Sequence, residues 1–223
     1  MTRARSITLV ASILTLLLAT PTPSEAACFT GRTNTFGNWQ VDRKYLSSST
    51  VHGIKSQLST YSPYVVDDFS YAWVMLTRGA NWTWAQIGNY SVQGYVRHLS
   101  IQYAFGSPPA YQIDLPAEAV GSLHTDEVTY TEPNAFRFLT DGSADYSDIH
   151  MTWTPTVAFI SGEITNYANQ MMGDSSTHQH FFNNKIKLAG SYVDFNGTLD
   201  SYLTAHFGES GSGPNFDIWD LCQ

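Results

Sequence analysis

Cysteine is scarce in this chain: 223 residues contain two, Cys28 and Cys222. Charge is scarce as well, at 13% of residues, and what there is leans acidic, with 19 Asp and Glu against 11 Lys and Arg. An acidic surface argues against nucleic acid or an anionic membrane as partner. No stretch after the first 26 residues repeats apolar side chains with a helical period. There are no heptads, no internal repeat and no long linker. A Gly-x-Ser-x-Gly elbow is missing, which argues against a serine hydrolase. The chain has one long apolar run, Ile7–Ala19, and it is too short to span a bilayer and remain there.

That run follows a basic start, Arg3 and Arg5, and precedes the small residues of Ser24-Glu25-Ala26. The pattern is that of an export leader, so residues 1–26 read as a signal peptide and 27–223 as one secreted domain. Cleavage would remove Arg3, Arg5 and Glu25 and take the formal charge from −8 to −9. Outside the cell the two cysteines, at opposite ends of the mature chain, are expected to pair as Cys28–Cys222. Such a closure is worth about 4–5 kcal/mol on a loop-entropy basis and requires the first and last strands to be neighbours.

What is abundant is aromatic and β-forming sequence: 14% of residues are Phe, Trp or Tyr. Short apolar-alternating runs separated by turn residues predict strands at Val51–Ser59, Tyr71–Thr77, Thr83–Tyr90, Tyr95–Phe105, Tyr111–Leu115, Glu127–Thr131, Ala135–Thr140, Val157–Thr165, Phe181–Ala189 and Phe216–Leu221. Turns are expected at Arg78-Gly79-Ala80-Asn81, Gln93-Gly94 and Asp141-Gly142, and loops over Met171 to Gln179 and Gly208 to Pro214. The expected fold is all-β, a two-sheet antiparallel sandwich of the jelly-roll or concanavalin-like kind, with a closed barrel as the alternative.

Two polar residues interrupt these strands. Because side chains alternate across a strand, Ala85 and Ile87 should face one way and Trp82, Trp84 and Gln86 the other. Likewise Ala158, Ile160 and Ile164 should oppose Phe159, Ser161 and Glu163. If both outer faces line one groove, an amide and a carboxyl share an aromatic floor. A carboxyl can take a proton from water and return it to a leaving group. An amide can donate N–H to the charge that builds on a carbonyl oxygen. Gln86 and Glu163 are therefore the candidate catalytic pair, expected to converge within about 3–5 Å. Trp82, Trp84, Phe159 and Ser161 are the candidate substrate-binding residues.

Here the sequence resembles a known family. Residues 71–88, Tyr-Ala-Trp-Val-Met-Leu-Thr-Arg-Gly-Ala-Asn-Trp-Thr-Trp-Ala-Gln-Ile-Gly, are similar to the strand–turn–strand of the eqolisin glutamic peptidases, where an Ala-Trp-Val strand precedes a strand bearing the catalytic glutamine. The resemblance implies that role for Gln86 and the catalytic glutamate's role for Glu163, in an acid-pH hydrolase without cofactor. Gly162-Glu163-Ile164 also resembles a glutamate strand of the neprosin peptidases. Secreted actinobacterial proteins of unassigned function share a comparable Trp-x-Gln-Ile-Gly and Gly-Glu-Ile pairing. The acidic residue and glycine that follow Trp-Val in eqolisins are absent, replaced by Met75-Leu76-Thr77-Arg78.

The alternative is a non-catalytic carbohydrate-binding sandwich whose exposed indoles, Trp82 and Trp84, stack on sugar rings; a module with no small ligand is the third reading. Partners are then an extracellular polypeptide or polysaccharide, with a monomer expected. A glycosidase is disfavoured because Asp126 and Glu127 are adjacent and must face opposite ways. His178 and His180 would share a strand face, but a metal would need a third ligand such as Asp174 or Glu163, and none is assigned.

Overall fold

A computed structural model describes residues 36–67, 69–79, 83–92, 95–166, 168–202, 207–211 and 213–221. The proposed leader, both cysteines, Trp82 and the Gln93-Gly94 turn lie outside them. The described strands are β1 (Phe36–Ser47), β2 (Val51–Ser59), β3 (Phe69–Thr77), β4 (Trp84–Val92), β5 (Tyr95–Tyr103), β6 (Tyr111–Asp114), β7 (Leu123–Thr131), β8 (Ala135–Thr140), β9 (Ser143–His150), β10 (Val157–Asn166), β11 (Gln179–Leu188), β12 (Ser191–Asp194), β13 (Thr198–Tyr202), β14 (Phe207–Ser210) and β15 (Phe216–Asp220). They form a two-sheet antiparallel β-sandwich. One sheet has seven strands in the order β13-β1-β10-β3-β4-β5-β6; the other has eight, β14-β15-β11-β2-β7-β8-β9 with β12 beside β11.

The core lies between the sheets, and the two faces are matched in size. The seven-stranded sheet contributes small and aliphatic residues: Ala72, Val74, Leu76, Ala85, Ile87, Ala158 and Ile160. The eight-stranded sheet answers with Phe136, Phe138, Phe181 and Phe216. Large side chains from one layer thus fill the space left by small ones on the other, which is how a sandwich core closes. Gly162 belongs to this arrangement: a Cβ there would lie 1.9 Å from Ile218 Cδ1.

Five strands were not expected from the sequence: β1, β9, β12, β13 and β14. β9 (Ser143–His150) is almost wholly exposed and polar. Backbone pairing to β8 holds it, with no apolar alternation to betray it. β14 occupies the start of the stretch expected to be the Gly208–Pro214 surface loop. Gly208 is needed there because Trp219 lies against it, with ring atoms 2.0–2.3 Å from where a Cβ would stand. The Met171–Gln179 segment is a loop until Gln179 opens β11, but Met171 and Met172 are fully buried in the core. Asp174 organises its turn, accepting from the Ser176 and Thr177 amides at 2.7 and 2.8 Å and from the Tyr61 hydroxyl at 2.6 Å.

Candidate functional site

The alternation expected for β4 and β10 is the one observed. Ala85, Ile87, Ala158, Ile160 and Ile164 enter the inter-sheet core. On the outer face of the same seven-stranded sheet, Tyr71, Trp73, Tyr90 and Phe159 form a second apolar cluster, flanked by Tyr45, Phe69, Met75, Val92 and Val157. Gln86 and Glu163 stand on this face. It is recessed rather than open: Gln86 keeps 9% of its surface and Glu163 6%.

Strand register decides how the two relate. β3 lies between β10 and β4. Glu163 pairs with Tyr71 and hence with Tyr90, whereas Gln86 pairs with Met75 and hence with Phe159. Two strand spacings and four residue steps separate them, about 16 Å between Cα atoms on a flat sheet. The direct convergence expected of a dyad is therefore not supplied by the register. The side chain on the Gln86 rung of β10 is the phenyl ring of Phe159. Between the two polar groups stands Trp73, whose rung neighbours are Ser161 and Gly88. Gly88 allows this approach, since a Cβ there would meet the Ala72 carbonyl oxygen at 2.2 Å and Trp73 Cα at 2.5 Å.

Each polar residue has its own support. Trp73 Nε1 donates to Glu163 Oε2 at 3.1 Å. A hydrogen bond to a carboxylate in this recess is stronger than one between neutral groups. Gln86 Nε2 donates to Gln102 Oε1 at 2.9 Å. Gln102 Nε2 in turn donates to the Tyr71 hydroxyl at 3.2 Å and to Gln112 Oε1 at 2.8 Å. Gln112 Nε2 donates to Asp114 Oδ1 at 2.8 Å, which also accepts from the Tyr90 hydroxyl at 2.7 Å.

Of the other expected contacts, Trp84 is half-buried on the same outer face and Phe159 is 9% exposed within the aromatic cluster. Ser161 has no exposed surface, and its hydroxyl donates to the Gly162 carbonyl at 3.1 Å. It packs in the floor of the outer face, on the rung of Trp73. Gln102, Gln112, Asp114 and Trp73 were not singled out from the sequence. The signal for Gln102, Gln112 and Asp114 was a polar residue at every second position, Ser100 and Gln102 on β5 and Gln112 and Asp114 on β6, facing one way.

Two titratable clusters lie elsewhere. His178 stacks on Trp219 at 3.9 Å, and His180 Nδ1 lies 2.7 Å from Asp217 Oδ1; the acid between the two histidines is Asp217, not Asp174 or Glu163. Among the described residues no three His, Cys, Asp or Glu side chains are placed to hold a metal ion. On β7, Asp126 and Glu127 face opposite ways as expected. Glu127 accepts from the Tyr192 hydroxyl, whereas Asp126 is 1% exposed and its Oδ1 has no hydrogen-bond partner. Burial, and then the nearby Glu118, Asp145 and Asp141, push the Asp126 carboxyl well above the usual range. His124 bridges two of those acids, Nδ1 to Asp141 at 2.8 Å and Nε2 to Glu118 at 3.4 Å.

No protein-family model matches the chain, and neither does any curated protein. Solved structures do. Scytalido-glutamic peptidase bound to a transition-state analogue inhibitor superposes with a TM-score of 0.64 at 13% identity, covering 85% of this chain and 100% of that one. The sandwich is distantly similar to that of the glutamic peptidases. SCP-B, a member of the eqolisin family in complex with the tripeptide Ala-Ile-His, gives 0.58, again at 13% identity and with the same coverage. At such identity the likeness to glutamic peptidases is one of fold, and the chemistry must be read from this chain's own residues.

Proposed function

We propose that this is an exported polypeptide-binding protein, built on the glutamic-peptidase sandwich, whose ligand lies along the outer face of the seven-stranded sheet. The observation that carries this reading is the aromatic cluster of Tyr71, Trp73, Tyr90 and Phe159 together with groups that bond amides: Gln86 with its glutamine neighbours, and Glu163. Apolar side chains of an extended chain would settle against the rings, and its backbone N–H and C=O groups would meet the amides. The fold shared with peptide-bound glutamic peptidases supports a peptide over a sugar. Gln86 and Glu163 then act as two separate contacts, because a water held between them for attack needs both within hydrogen-bond reach.

The test uses reduced, carboxymethylated casein and barley β-glucan as probes, with binding followed by calorimetry. Casein binding is expected, weakened about tenfold by Gln86→Met or Trp84→Ala. Binding of β-glucan alone would favour the carbohydrate reading. Casein cleavage at pH 3–5 that disappears in both Gln86→Met and Glu163→Gln would overturn the separate-contact reading and restore a hydrolytic pair.

A further inference from the structure

Three glutamines stand on one rung of the outer face: Gln86 on β4, Gln102 on β5 and Gln112 on β6. The hydrogen bonds that join them to one another and to Asp114 run in one direction. Gln86 donates to Gln102, Gln102 to Gln112, and Gln112 to Asp114, at 2.9, 2.8 and 2.8 Å. A primary amide has a donor end and an acceptor end, and its neighbours decide which way it turns. An ionised carboxylate only accepts. With Asp114 at the end of the row, Gln112 must offer its Nε2 there, so its Oε1 faces Gln102. The same constraint passes to Gln102 and then to Gln86. Turning any one amide would bring two acceptors or two NH2 groups together.

We propose that Asp114 is a positioning residue that sets the orientation of the Gln86 amide through Gln102 and Gln112. Gln86 is thereby held with one N–H spent on the ladder and its Oε1 turned away from it. Outside the ladder Gln86 is left with its Oε1 and its second N–H, a pair matched to a ligand that brings both N–H and C=O groups, as an extended polypeptide backbone does. That ligand class rests on the polypeptide-binding reading; the orientation of the ladder does not. Asp114 acts from the edge strand, three hydrogen bonds away from the residue it orients.

A double-mutant cycle tests this at a pH above about 6, where carboxylates are ionised. Gln86→Glu places an acceptor-only group at the other end of the row, and two amides cannot join two such ends without one acceptor–acceptor clash. Asp114→Asn supplies a donor and lets the whole row reverse. The unfolding equilibrium constant should therefore rise about fivefold less on Gln86→Glu in the Asp114→Asn background than in the parent, a hydrogen bond's worth. Gln86→Met, which has no acceptor to clash, should show no such coupling. A purely structural role for Asp114 gives equal penalties in both backgrounds, and that result would overturn the proposal. Should Gln86→Glu fail to fold, the side-chain amide resonances of Gln86 decide: one set in the parent and two in Asp114→Asn are expected, and an unchanged spectrum would refute the lock. Neither measurement involves a ligand, so a failure here leaves the binding reading intact, and absent casein binding leaves the ladder intact.

Discussion

The Trp73 indole donates its N–H to the Glu163 carboxylate across the β3–β10 pair, 3.1 Å from Nε1 to Oε2. Both groups are nearly buried, at 4% and 6% exposure. Trp73→Phe keeps a ring in the aromatic cluster but removes the donor. It should cost about 2–3 kcal/mol by denaturant unfolding, in the range for hydrogen bonds to charged groups. Glu163→Gln retains an oxygen that can accept and should cost less. Equal stability of parent and Trp73→Phe would show that the bond contributes nothing.

A different close approach, at Gly162, lends itself to a rescue experiment. Gly162→Ala brings a Cβ against Ile218 Cδ1 and Met171 Sδ, at 1.9 and 2.8 Å. Both are ends of flexible side chains, so the expected loss is the overpacking cost of about 1–3 kcal/mol. Ile218→Val removes the offending Cδ1 and alone costs about 1 kcal/mol. Together the two changes should cost less than their sum. Gly88→Ala has no such remedy, because its nearest obstacles are the backbone atoms of Ala72 and Trp73.

Asp126 gives the protein a signed pH dependence. Its carboxyl is raised in the folded state by burial and by the neighbouring acids Glu118, Asp145 and Asp141. Between its unfolded pKa of about 3.9 and the higher folded value, the native state holds a proton that the unfolded chain has released. Stability from this residue is therefore full below about pH 4 and declines as pH rises through the folded value. Asp126→Asn should flatten that decline and raise the melting temperature at pH 7, with little effect at pH 3.5. A melting temperature that falls by the same amount at both pH values would contradict the assignment.

Asp174 should show the opposite trend. Burial would raise its carboxyl, but the Ser176 hydroxyl, the Tyr61 hydroxyl and the amides of Ser176 and Thr177 together lower it. A depressed carboxyl stabilises above its unfolded pKa and loses that contribution as pH falls through the folded value. Asp174→Asn is expected to destabilise at pH 7 and to approach the parent's stability near pH 2. Thermal melts of both proteins across this range check the crossover.

The strand pair around Gln86 was readable because strand stereochemistry is local. Trp84, Gln86 and Gly88 alternate with Ala85 and Ile87, and Phe159, Ser161 and Glu163 with Ala158 and Ile160; each set lies on the face its parity required. The bounds of β2 and β8 follow from the same local signal, Val51–Ser59 and Ala135–Thr140. β9 escaped because its exposed polar residues carry no alternation, and its pairing to β8 is made by backbone groups common to every residue.

By itself, the sequence determined which side chains share a face, an all-β chain and its acidic character, since a period of two and the residue counts require no knowledge of neighbours. Only the tertiary structure decided that Phe159, rather than Glu163, stands on the rung of Gln86, and that Gln102, Gln112 and Asp114 continue that row. The reason is that register is set between strands distant in the chain: shifting β10 by two residues would preserve every inward and outward assignment while changing every partner across the sheet.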